Sequence, residues 1–235
     1  MVFKIYLNYA CYIVLMKLII STIYYNWFAL VLIRCIDYLL SKIELNEKIR
    51  WFQLHAITNM FICYFVINEV IECFINPNIS VEKTNNEWGR SFALSLHIYH
   101  CIYFTLRKED WIHHIGSVFI GAPLFILTNT KGVSVNYFFC TGLPGAVDYI
   151  MLTLMKYNYI SRLQQKNICC YLNTYIRIPG GIVGAYLLFK DAFMYSSYYI
   201  HYRPLCLSSI IYLNATFYGK QAIGSYYKAL TEDKY

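Results

Sequence analysis

Apolar residues run along this chain in long blocks separated by short charged clusters. The first block spans 5–40, and its only charges are Lys17, Arg34 and Asp37. The others are 51–75, 91–106, 111–128, 133–155, 168–189 and 204–227, divided by polar or charged stretches at 42–50, 82–90, 107–110, 129–132, 156–166 and 190–203. A helix that crosses a bilayer needs ~20 mostly apolar residues, with ~17–25 the usual range. The pattern therefore predicts an all-α, polytopic membrane protein with about seven transmembrane helices, six to eight being the range the blocks allow. The first block is long enough for one tilted span plus an interfacial piece. It does not read as a cleavable signal, because its apolar run is too long, holds Lys17 and ends in no small-residue cleavage site. No repeat, linker or low-complexity tract divides the chain, so one domain is expected.

Composition sharpens this reading less than arrangement does. Hydrophobic residues make up 58% of the 235, but that figure includes 25 tyrosines. Counting the 11 glycines instead of tyrosine leaves roughly 52%, close to the soluble norm of ~45–50%. The charged fraction is more telling: 14%, against ~25% in ordinary domains. A chain this apolar is not disordered. Nine cysteines in 235 residues are too few for a disulfide scaffold, and without a C-x-x-C pair they read as buried thiols.

The net charge of +7 becomes a topology signal. With seven spans, Lys4, Lys83, Arg90, Lys131, Lys190 and Arg203 collect on one side. Lys42, Lys48, Arg50, Arg107, Lys108, Lys156, Arg162, Lys166, Lys220, Lys228 and Lys234 collect on the other. The richer side is expected to be cytoplasmic, with the N-terminus luminal and the C-terminus cytoplasmic. Asn78-Ile79-Ser80 is a glycosylation sequon on the side assigned to the lumen, whereas Asn214-Ala215-Thr216 falls inside the last span. Basic residues at span ends, rather than in one patch, argue against a nucleic-acid partner.

Polar residues inside the blocks carry the functional signal, since they are costly in lipid and face a bundle interior or a wet cavity. His55 and Asn59 share a helical face, as do His97 and His100, and Asn173 and Arg177. Glu69 and Glu72 lie in the second block. Asp110, His113 and His114 open the fourth, and Asp148 follows a break at Gly142-Leu143-Pro144-Gly145. Five of the six histidines lie between 55 and 114. Each element has a structural alternative: Asp110 as a helix cap, His113 and His114 as interfacial groups, His97 and His100 as hydrogen-bonded core, Arg177 and Asp148 as an ion pair. Six histidines fall short of a di-iron membrane oxygenase. A single zinc on His97, His100, His113 or His114 is chemically possible, but no ligand spacing demands a metal.

The order of these features resembles the TLC domain, named for the TRAM, Lag and CLN proteins. The resemblance covers about Arg50 to Tyr227. His113-His114 opens a span as the paired histidines of the ceramide synthase branch do. Lys131-Gly132-Val133 resembles its basic-x-Gly turn, and Asp148 with Lys156 resembles its acidic residue and closing lysine. The resemblance implies an N-terminal span and connection at 1–49, a six-helix barrel around a central cavity at 50–228, and a cytoplasmic tail at 229–235. It also implies an endoplasmic reticulum or other endomembrane location and membrane lipids as partners. Three positions depart from the synthase pattern: Val147 replaces a histidine, Met151 replaces a second aspartate, and Ile115-Gly116-Ser117 lacks the expected threonine.

Two classes of function follow. In a lipid-modifying enzyme, His113 or His114 acts as general base, and Asp110 or Asp148 holds the imidazole tautomer. Arg177 meets an anionic headgroup, and acyl-CoA is a substrate rather than a resident cofactor. In a non-catalytic protein, the cavity of His55, Asn59, His97, His100, Asn173 and Arg177 recognises a lipid or a trafficking partner. A single-metal hydrolase is a further alternative.

Overall fold

The computed structural model describes residues 2–84, 86–106, 111, 114–194 and 202–232, with 2–15, 17, 18 and 117 described by backbone alone. Among these residues the fold is all-α, with an isolated antiparallel bridge between Lys83 and Thr130 and no sheet. Seven helices follow one another. α1 is Val2–Leu40, α2 is Glu47–Ile75 and α3 is Glu87–Tyr103. α4 joins a π turn, Gly116–Gly121, to Ala122–Thr128. α5 joins Lys131–Asn136, a π turn at Tyr137–Gly142, and Leu143–Lys156. α6 joins Arg162–Leu172, a π turn at Asn173–Arg177, and Ile178–Met194. α7 is Tyr202–Glu232.

The expectation of about seven spans, six of them closing a membrane barrel, does not hold. Three described helices are long and apolar enough to cross a membrane: Ile19–Leu40 within α1, Glu47–Ile75, and Lys131–Lys156. The 17 residues of α3 reach only ~25 Å at ~1.5 Å per residue, short of a ~30 Å hydrocarbon core. The apolar stretch of α4, Val118–Thr128, is shorter still. In α6 the apolar run is bounded by Arg177 and by Lys190-Asp191. In α7 tyrosines, amides and lysines dilute it. Short, interrupted or tyrosine-rich blocks pass for spans in the sequence pattern and account for the excess.

Local chemistry sets the helix boundaries. Asn46 caps α2, its side chain accepting from Lys48 N and Ile49 N. Asn86 caps α3 through Gly89 N, and Ser161 with Gln164 forms a capping box at the start of α6. Asn129 ends α4 in the left-handed region at φ 42°. The π turns share one cause. Each ends two residues before a proline: Gly121 before Pro123, Gly142 before Pro144, Arg177 before Pro179. A proline inside a helix lacks its N–H and crowds the carbonyl four residues back, and one inserted residue relieves both faults.

Packing draws the helices together around α2. Phe61, Phe65, Trp88 and Phe92 stack between α2 and α3. Asp37, 4% exposed, ties α1 to both: it accepts from Arg50 Nε at 2.9 Å and from the Tyr99 hydroxyl at 2.6 Å. Glycine permits a close approach of α6 to α7, where a Cβ on Gly181 would lie 2.6 Å from that of Ala215. At the Glu47 end, Tyr157 donates to Glu44, and Arg162 pairs with Glu232. At the opposite end, Lys190 reaches Asn78 and Lys131 bridges Glu72 and Glu82. Large apolar side chains such as Trp27, Tyr64, Phe119 and Tyr186 cover the outside.

Candidate functional site

Helices α2 to α7 each contribute residues to one cavity of about 1700 Å³. This is larger than the ~300–1,000 Å³ of most small-molecule pockets. Its walls are largely apolar, with Leu96, Phe125, Leu152, Ile211 and Phe217 among them. Its Glu47 end carries Lys48, Lys156 and Lys166. His55, Asn59, His97, His100, His114, Asp148 and Arg177 all line it. Asp110 and His113 lie outside the described residues, as does His201.

Four imidazoles form a continuous row drawn from α2, α3 and the approach to α4. Ring centroids are 5.1 Å apart for His55 and His100, 4.7 Å for His100 and His114, and 5.0 Å for His114 and His97, each pair edge to face. Trp51 lies against His100 and Tyr149 against His55. Two tautomers follow from hydrogen bonds. The Trp51 indole, which can only donate, meets His55 Nε2 at 2.9 Å, so the His55 proton sits on Nδ1 and goes to the Trp51 carbonyl. His97 Nδ1 lies 2.7 Å from the Ala93 carbonyl, which places the His97 lone pair on Nε2. No group of three or more His, Cys, Asp or Glu among the described residues could hold a metal ion. A single zinc therefore has no ligand set within them.

Arg177 ends the π turn of α6. Asn173, 3% exposed, donates through Nδ2 to the Cys169 carbonyl at 2.8 Å and accepts from Arg177 Nη1 at 3.0 Å. The guanidinium lies over the Tyr218 ring at 5.6 Å. Asp148 does not pair with it. Asp148 accepts from Gln165 Nε2 at 3.0 Å, and no described imidazole bonds to it. Deeper in the cavity, Asn59 and Asn136 are 3% and 1% exposed, and the Oδ1 of each has no hydrogen-bond partner among the described residues.

Several contributors escaped sequence reasoning. Trp51 was legible as an i, i+4 neighbour of His55. Gln165, Tyr218 and Asn136 carried no sequence signal beyond polarity. Outside the cavity, Glu69 accepts from Thr84 at 2.7 Å and from Ser134 at 2.5 Å, and Asp191 accepts from Ser80 at 2.7 Å. Burial raises the Asp191 carboxyl to about 6, against hydrogen bonds from Ser80 and Thr130 and the charge of Lys190. Asn78 is exposed in the turn Pro77–Val81, while the sequon hydroxyl of Ser80 is buried. No protein-family model matches the chain, and no curated protein or solved structure matches it either.

Proposed function

We propose that this is an integral, multi-pass membrane protein of TLC-like type that takes a membrane lipid into the cavity between its helices. The observation that carries the reading is the cavity itself: about 1700 Å³, apolar along its walls and basic at one end. The apolar wall matches the chemistry of an acyl chain. The basic end is the side where Lys48, Lys156, Arg162 and Lys166 gather, which supports a cytoplasmic mouth and a luminal Asn78. Endomembrane residence belongs to the same reading.

The test is native mass spectrometry of the full chain purified in mild detergent. Bound lipid is expected. Leu152→Trp, which narrows the cavity at the α5 wall, is expected to retain less of it at matched folding. A lipid-free wild type that takes up no added lipid would overturn the reading.

A lipid-modifying role is the second reading, favoured by one observation. The Ala93 carbonyl holds His97 in the tautomer whose Nε2 can accept a proton. Lipidomic comparison of cells expressing wild type, His97→Ala or His113→Ala/His114→Ala tests it. Matching lipid profiles at equal expression would remove it.

A further inference from the structure

The cavity contains an arginine that pairs with no carboxylate among the described residues. Arg177 is half-buried, lines the cavity and has no acidic partner among the described residues. Most other arginines in the described chain do have one: Arg34 and Arg50 pair with Asp37, Arg90 with Glu87, and Arg162 with Glu232. A half-buried cation in an apolar-walled cavity without a paired counter-charge is costly, and such groups persist where a ligand supplies the charge.

The guanidinium is also held in place. Asn173 takes one N–H, and its own orientation is set by the Cys169 carbonyl. Tyr218 covers one face. Nε has no partner among the described residues. An arginine fixed through a neutral amide keeps its full charge and its remaining donors for a planar or tetrahedral anion. Lys166, also half-buried, and Lys156 line the same cavity, Lys166 about three turns before Arg177 on α6. Asp148, the acid on that wall, accepts from Gln165 and makes no ion pair with Arg177.

The geometry points to a phosphate subsite: the lipid carries a phosphate headgroup that Arg177 binds while its acyl chains lie inside the cavity. This rests on the lipid-binding reading and adds the chemical class of the headgroup. The same phosphate chemistry is offered by a phospholipid and by free phosphate, and the test separates them.

The full chain in neutral detergent is titrated with dioctanoyl phosphatidic acid, dioctanoylglycerol and inorganic phosphate, followed by tryptophan fluorescence and native mass spectrometry. Two or more charge-assisted hydrogen bonds predict that phosphatidic acid binds about tenfold to a hundredfold more tightly than the diacylglycerol. Arg177→Gln removes that preference. Asn173→Asp removes it too, by giving the arginine an internal counter-ion, and Arg177→Lys retains part of it. Each variant is judged by the ratio of its own two affinities, so a general loss of fold does not imitate the result. Equal affinity for the two lipids, or a preference that survives Arg177→Gln, overturns the phosphate subsite and leaves the lipid reading standing. Binding of inorganic phosphate without either lipid overturns both, as does binding of none of the three.

Discussion

Trp51 and His55 hold each other twice: the indole N–H of Trp51 donates to His55 Nε2 at 2.9 Å, and His55 Nδ1 donates to the Trp51 carbonyl at 2.9 Å. His55 is thereby a neutral, fixed end of the imidazole row rather than a proton acceptor. Trp51→Phe leaves Nε2 without this donor and is expected to destabilise the protein by about 1–3 kcal/mol. His55→Ala should cost a similar amount, and the double variant less than the sum. Unfolding of all four proteins in one detergent closes the cycle. Strict additivity would show that the contact carries no coupling.

Gly145 faces Asn59 so closely that a Cβ there would lie 2.5 Å from Nδ2, whereas a Cβ on Gly224 meets nothing within 4 Å. Gly145→Ala must displace the buried Asn59 amide or push α5 from α2 at the cavity wall and is expected to cost about 1–3 kcal/mol. Gly224→Ala in α7 is expected to gain about 0.5–1 kcal/mol through helix propensity. Melting temperatures of the two variants should move in opposite directions. A shared direction would contradict the packing described.

Asp191 lies outside the three candidate spans, and burial raises its carboxyl from an ordinary 3.8 to about 6. A raised acid binds its proton more readily in the folded state. Stability is therefore highest below the unfolded value, falls as pH rises from about 4 to 6, and levels off above that. Asp191→Asn should flatten this limb and be neutral or mildly stabilising at pH 7.5. Melting temperature measured against pH for both proteins checks the sign. A limb of unchanged slope in the variant would assign it to another group.

The sequence announced the polar interior better than the membrane architecture. His55, His97, His100, His114, Asp148 and Arg177 stand out as polar groups among apolar neighbours, and the fold brings all six to one cavity. Pairing between helices was not legible. The Arg177–Asn173 bond follows the i, i+4 spacing within α6, but the Asp148–Gln165 bond depends on the rotation of α5 against α6, which no periodicity records. The span count failed where tyrosine-rich or interrupted blocks pass for apolar helices. The π turns had a usable signal in the Gly-x-Pro steps at Gly121 and Gly142, but a proline break alone does not distinguish a kink from an inserted residue.

The most direct measurement is photo-crosslinking of the full chain, in vesicles, with a phospholipid carrying a diazirine near the end of one acyl chain, mapped by peptide mass spectrometry. The account predicts adducts on cavity-facing residues such as Thr141, Leu152 and Tyr218, reduced by Leu152→Trp. Adducts confined to outward residues such as Tyr64, Phe119 and Tyr175 would contradict a lipid inside the cavity.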